Sequence, residues 1–154
     1  MGERKLYISP VGRLLLEVED GFVVRLDFAD GIEAEGKNGN ESALMTQVVM
    51  QLDEYFRGAR KNFNLPLNPA GTGFQRKVWD VLLTIPYGET RAYREIAEAA
   101  GCPKGFRAVG MANNKNPIAI IIPCHRVVGS NGKLVGYAGG LDRKEALLAL
   151  ERAN

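Results

Sequence analysis

The sequence predicts a mixed α/β (α+β) protein in two lobes, a small antiparallel sheet with one helix followed by a mainly helical C-terminal lobe. Three observations lead there. Three short β-prone runs open the chain, Lys5–Ser9, Leu14–Val18 and Val23–Phe28, parted by the hairpin signals Pro10-Val11-Gly12 and Asp20-Gly21. Helical periodicity begins after Ser42 and returns several times beyond Thr72. Between these stretches, Asn64 to Gly73 carries Pro66 and Pro69 and reads as a linker, which sets the lobes at 1–72 and 73–154.

Taken in order, Asp30 to Asn40 is polar and glycine-rich, hence a loop. Ser42 can accept from the first free amides of a helix whose Met45, Val48, Val49, Leu52 and Phe56 share one face, and Gly58 stops it. The second lobe opens on the capping-box pair Thr72 and Gln75, with Phe74, Val78, Trp79, Val81 and Leu82 as the buried side. Pro86-Tyr87-Gly88 breaks that helix. Thr90 is expected to cap the next, Arg91 to Ala100, with Tyr93, Ile96 and Ala97 on its apolar face, and Gly101 and Pro103 to end it. A third runs from about Gly105 to Ala112. Two short helices around a tight glycine-containing turn make a helix-turn-helix, winged-helix-like candidate. Ala108, Gly110 and Ala112 keep the third helix smooth and leave Arg107 as its one long side chain. Asn116-Pro117 closes it, Ile118–Ile122 runs into the interior, and Leu141 to Arg152 forms a last helix.

Bulk properties exclude several classes. With 154 residues, 45% of them hydrophobic and 25% charged, the chain can bury a core without disulfides or metals. No apolar run approaches the roughly 20 residues needed to span a bilayer, and no secretory signal stands at the start, so a cytoplasmic address is expected. Two cysteines, one histidine and no C-x-x-C pair argue against a metal site. The net charge of +2 is unevenly spread. From Phe74 onward 12 Lys/Arg face 7 Asp/Glu, whereas up to Gly73 the numbers are 8 and 11. A basic C-terminal half suits an anionic partner such as DNA.

The chemistry concentrates in Ile120-Ile121-Ile122-Pro123-Cys124-His125-Arg126-Val127-Val128. A thiol and the only imidazole of the chain are neighbours just after a buried apolar run. A free thiol with pKa about 8.5 is mostly protonated at neutral pH, and a histidine base plus positive charge, with Arg126 as a source, would raise the thiolate fraction. Two readings stand at this point: an activated nucleophile, or a structural cysteine beside a packed histidine. In an extended strand adjacent side chains point to opposite faces, so cooperation of Cys124 and His125 calls for a turn at Pro123 or a bridging water.

The stretch Phe74 to Glu151 resembles the catalytic domain of O6-alkylguanine-DNA alkyltransferases. The resemblance rests on ordered motifs at that family's spacing: Arg107-Ala108-Val109-Gly110, Asn116-Pro117, Ile122-Pro123-Cys124-His125-Arg126-Val127, Gly136-Tyr137-Ala138-Gly139-Gly140, Arg143-Lys144-Glu145 and Glu151. Over Met1 to Gly73 it is weaker, resting on the opening Ser-Pro-Val-Gly hairpin and a helix ending in Tyr55-Phe56. The resemblance implies DNA repair by direct reversal, with the alkyl group of O6-alkylguanine moved irreversibly to Cys124. O4-alkylthymine stays open as a second substrate. It further implies His125 as a base acting through water, Glu151 orienting His125, Asn116 fixing the active-site turn, and Tyr93 donating a proton toward the departing guanine. Arg107 would fill the gap left by an everted base, with Ala108 and Gly110 letting the helix approach the minor groove. Tyr137 would wall the alkyl pocket, Ala138 and Gly139 would lend amides near O6, and the carbonyls of Cys124 and Val127 would read the guanine amino group.

The implied partner is double-stranded DNA with a flipped base. No membrane, no cofactor and a monomer are expected. Some relatives carry zinc in the N-terminal lobe, but no Cys or His precedes Cys102 here, and Ala138 stands where some relatives have serine. Rival readings are a non-catalytic alkylated-base binder of the same fold, a helix-turn-helix regulator, and a cysteine hydrolase built on Cys124 and His125.

Overall fold

The computed structural model describes residues 2–31 and 41–154. Two compact units result, Met1–Pro69 and Ala70–Asn154. Most of the loop expected at Asp30 to Asn40 lies outside the described residues.

In the first unit, β1 (Gly2–Ser9), β2 (Gly12–Glu19) and β3 (Phe22–Phe28) form an antiparallel sheet in that order. Both connections are two residues long. Asp20 and Gly21 both have positive φ (54° and 85°), as a hairpin turn matching strand twist requires. Leu14, Leu15 and Leu16 are all buried, so the central strand has both faces covered. α1 (Ala43–Phe56) packs against β1 and β2, and the Ser42 hydroxyl accepts from the Met45 amide at 3.1 Å. Gln51 and Tyr55 join Met45, Val48 and Leu52 on its buried face, while Val49 and Phe56 are half-buried. Gln51 is tolerated inside because its carboxamide both donates to the Asn64 carbonyl and accepts from the Asn64 amide, which satisfies it. Gly58 takes φ 77° just past the helix end, the left-handed stop that glycine favours. Part of the expected linker is ordered against the sheet. Leu67 bridges Val23 in parallel, with Val23 N–H donating to Pro66 O and Asn68 N–H to Val23 O.

The second unit begins with α2 (Gly73–Leu82), whose Thr72–Gln75 capping box is formed in both directions. Val78, Trp79 and Leu82 are buried. Phe74, expected on the same side, is exposed in the first helical turn, two turns short of the buried end. The Trp79 indole donates to the Ala112 carbonyl at 2.8 Å, and a methyl group at Gly71 would overlap its ring.

Thr90 does not cap the next helix. Arg91 and Ala92 form β4, which pairs in parallel with β5 (Val127–Val128), so the backbone stays extended two residues longer. α3 then starts at Tyr93 and ends at Ala99, and Glu95 accepts the Ala92 amide at 2.8 Å. Gly101, with φ 81°, turns the chain into α4 (Phe106–Asn114). That helix is less smooth than its sequence suggests. Ala112 faces inward, while Met111 (61% exposed) and Phe106 stand out beside Arg107.

Ile118 to Ile122 are all buried, yet they form tight turns rather than a strand. Ile120 has φ 73°, a conformation rare for a β-branched residue. Asn116 closes the turn from both sides, donating to Ile122 O at 2.7 Å and accepting from the Ile118 amide at 3.0 Å. A single 3₁₀ turn, Cys124–Arg126, follows Pro123, and α5 (Leu141–Ala153) ends the unit.

Candidate active site

The 3₁₀ turn removes the difficulty of adjacent side chains in a strand. It carries Cys124, His125 and Arg126 on one tight bend, and all three are buried. His125 is wholly enclosed, and its Nε2 lies 2.7 Å from Glu151 Oε2. Arg126 grips the same carboxylate through Nε at 2.8 Å and Nη2 at 3.0 Å, while its Nη1 donates to Ile85 O at 2.7 Å. Glu151 comes from the last turn of α5 and is 2% exposed. Burial pushes its carboxyl up, but the His125 hydrogen bond and then Arg126 outweigh that and hold it down at about 2. Glu151 is therefore an anion at neutral pH.

That charge fixes the imidazole. An anionic carboxylate accepts only, so His125 Nε2 carries the hydrogen and Nδ1 carries the lone pair. Burial lowers the His125 pKa against the opposing pull of Glu151, so the ring is neutral at pH 7. Nδ1 is buried without a hydrogen-bond partner. The site thus holds an unused base.

Cys124 is 5% exposed. Burial pushes its thiol up to about 11, opposed by the Asn116 hydrogen bond and the Lys144 charge. The cation that the sequence suggested for this task, Arg126, is committed to Glu151 and Ile85. Lys144 takes its place. It is fully buried on α5, and its Nζ donates to Val135 O at 2.9 Å and Gly136 O at 3.2 Å. Burial brings its ammonium down to about 8, with Cys124 working the other way.

Tyr93, the first residue of α3, is half-buried, and its hydroxyl donates to Val135 O over a long 3.4 Å. Burial raises its pKa, the closeness of Cys124 raises it further, and Asn113 opposes both. A cleft of about 570 Å³ with mainly apolar walls lies here, lined by Tyr93, Phe106, Arg107, Gly110, Val135 and Gly136 among others. The structure therefore joins Tyr93, Arg107 and Gly110 at the cleft, and separately gathers Cys124, His125, Glu151 and Asn116 around the 3₁₀ turn, none of which lines the cleft. Ala108 is exposed on α4, Val127 is buried in β5, and Tyr137 and Gly139 are half-buried in the segment before α5, with Ala138 exposed between them. Those five residues do not line the cleft.

Asn113 and Lys144 were missed from the sequence, although a signal existed. Lys144 and Glu151 fall on the stripe of Leu147 and Leu148, and Asn113 on that of Val109 and Ala112. A polar residue on a buried stripe needs a partner, and that need is the cue.

An α/β protein with a helix-turn-helix pair and an enclosed Cys-His-Glu set defines a class, a DNA-contacting protein with a nucleophilic thiol. Two family models match, the 6-O-methylguanine DNA methyltransferase ribonuclease-like domain over residues 4–69 and the DNA binding domain of the same family over 73–153. The chain belongs to the 6-O-methylguanine DNA methyltransferase family. It is 60% identical to a methylated-DNA–protein-cysteine methyltransferase of Methanosarcina mazei over 150 residues, covering 95% of this chain and 94% of that one. It is also similar to the crystal structure of Mycobacterium tuberculosis O6-methylguanine methyltransferase, with a TM-score of 0.87, 43% identity and coverage of 99% and 94%. A structure of the M. tuberculosis protein in complex with DNA matches equally well, with a TM-score of 0.87, 44% identity and coverage of 97% and 92%.

Proposed function

We propose that this protein repairs DNA by direct reversal, moving the alkyl group of O6-alkylguanine onto Cys124 in a single irreversible turnover. The observation that carries the reading is the enclosed thiol on one 3₁₀ turn with a neutral, Glu151-oriented imidazole whose Nδ1 lone pair is unused. His125 takes the thiol proton through a water, and the Lys144 ammonium offsets the charge left on sulfur. The thiolate displaces at the alkyl carbon. A carbon–sulfur bond forms, the carbon–oxygen bond breaks, and the electron pair stays on the guanine. Tyr93 passes its hydroxyl proton toward the departing base. The product thioether has no leaving group comparable to the base, so the chain is consumed. The alkyl carbon moves directly, and no cofactor enters.

A paired guanine hides O6 inside the duplex, so the base must swing out before sulfur can reach it. Arg107, exposed on α4 beside the cleft, fills the vacated place in the stack, restoring part of the few kcal/mol that unstacking costs. Ala108 and Gly110 allow α4 to approach a minor groove as a monomer. The Cys124 and Val127 carbonyls read the guanine amino group, and Tyr137, Ala138 and Gly139 border the alkyl group. The cleft bordered by Tyr93 is the approach side for the base.

Intact-mass measurement after incubation with a duplex carrying one O6-methylguanine tests this. The protein gains one methyl group per chain, and Cys124→Ala gains none while still binding the duplex. Equal gain in both, or repeated turnover without a stable adduct, rejects the assignment.

A further inference from the structure

Phe106 opens α4 with nearly half of its surface, 48%, in solvent. Its ring makes no contact with another ring among the described residues. Gly110 stands one turn further along the same row of the helix, and a methyl group there would meet nothing within 4 Å. Packing inside the protein therefore does not demand that glycine, and the row beside the Phe106 ring is open. A glycine within a helix is unfavourable relative to alanine, so what the row provides is room for a body from outside.

Phe106 and Gly110 line the cleft together with Tyr93 and Val135. Its walls are mainly apolar, and the charged residues that line it are Arg94 and Arg107, with no carboxylate among them. Neither guanidinium takes part in an ion pair among the described residues. Apolar walls with purely cationic charge fit a flat ring on an anionic tether, which describes a nucleotide of DNA turned out of its stack. An aromatic side chain serves any base, because every base has a π face, and an arginine answers the phosphate. Met111 is more exposed, at 61%, but stands outside the cleft.

Building on the base eversion proposed above, we infer that Phe106 is the stacking platform on which the everted base is first captured. Arg107 is left to fill the vacated place in the stack. Cys124 does not line this cleft, so a base stacked on Phe106 has not yet reached the sulfur. Phe106 thus acts on capture of the lesion and not on the carbon–sulfur step.

The test uses the full chain in excess over a duplex carrying one O6-methylguanine, with methyl gain followed by mass at a series of protein concentrations. Wild type, Phe106→Ala, Phe106→Trp and Met111→Ala are compared, and thermal melting checks each fold. Phe106→Ala is expected to raise the half-saturating concentration about tenfold, as the loss of one base stacked on an aromatic ring would, with a limiting rate within about twofold of wild type. Phe106→Trp and Met111→Ala keep the half-saturating concentration within about twofold. Affinity is also measured for a duplex with an abasic site at the lesion position, which offers no base to stack. On that duplex Phe106→Ala binds within about twofold of wild type. If Phe106→Ala melts below the assay temperature, Phe106→Leu is carried through the same comparison. An unchanged half-saturating concentration in Phe106→Ala, an equal loss on the abasic duplex, or a Phe106→Trp variant as weak as Phe106→Ala overturns the inference. A wild-type chain that gains no methyl group overturns the transfer reading instead, so the two failures are distinct.

Discussion

At the scale of single residues, one carboxylate organises two buried side chains. Glu151 serves His125 and Arg126 at once, and the guanidinium also holds Ile85 O. Breaking a buried ion pair from one side leaves the other charge stranded, typically at 3–5 kcal/mol. Glu151→Gln should therefore lower unfolding stability by about that much, read from urea denaturation. A loss below about 1 kcal/mol would mean that Arg126 finds its compensation elsewhere. The pH dependence follows from the same carboxyl. It is held down at about 2 in the fold against an ordinary 4.5, so the unfolded chain binds the proton more tightly. Its stabilising contribution is complete above about pH 4.5 and disappears as pH falls toward 2. In Glu151→Gln that acid-labile part should be missing from the stability profile.

At the scale of elements, the turn Ile118–Ile122 carries the clearest strain. Ile120 is fully buried with φ 73°, and such a β-branched conformation costs of order 1–3 kcal/mol. Ile118 is equally buried and has no positive φ. Ile120→Gly should destabilise the protein less than Ile118→Gly by about 1–2 kcal/mol, because only the former relieves backbone strain while losing a similar side chain. Equal losses would show that the Asn116 bonds, rather than the turn's conformation, govern this segment. Most elements were legible from local signals. The hairpins followed from Asp20-Gly21, α1 from Ser42 and its periodicity, and α2 from the Thr72–Gln75 pair. What was not legible depends on pairing between distant segments. Nothing near Thr90 announces that Arg91-Ala92 will align with Val127-Val128, and nothing in Ile118–Ile122 distinguishes a folded-back turn from a buried strand. The site divides in the same way. Cys124, His125 and Glu151 were readable through motif order. The assignment of Arg126 to Glu151, and of Lys144 to the thiol, required knowing which side of α5 faces the 3₁₀ turn.

At the scale of the whole molecule, the distribution of charge and chemistry follows the two units. The excess of cationic side chains, the helix-turn-helix pair, the thiol and its base all belong to Ala70–Asn154, while Met1–Pro69 supplies a sheet and helix with a core of its own. The chain contains one tryptophan, and that indole is tied to the backbone of α4 at Ala112. Excitation near the red edge of protein absorbance should therefore report a single emitter fastened to the helix that bears Arg107. Titration with unmodified duplex should shift its emission, whereas Trp79→Phe should be dark yet still bind. A flat signal at saturating duplex would mean that α4 seats on its ligand without disturbing the bond at its back. The molecule thus contains its own optical gauge of the moment it grips DNA.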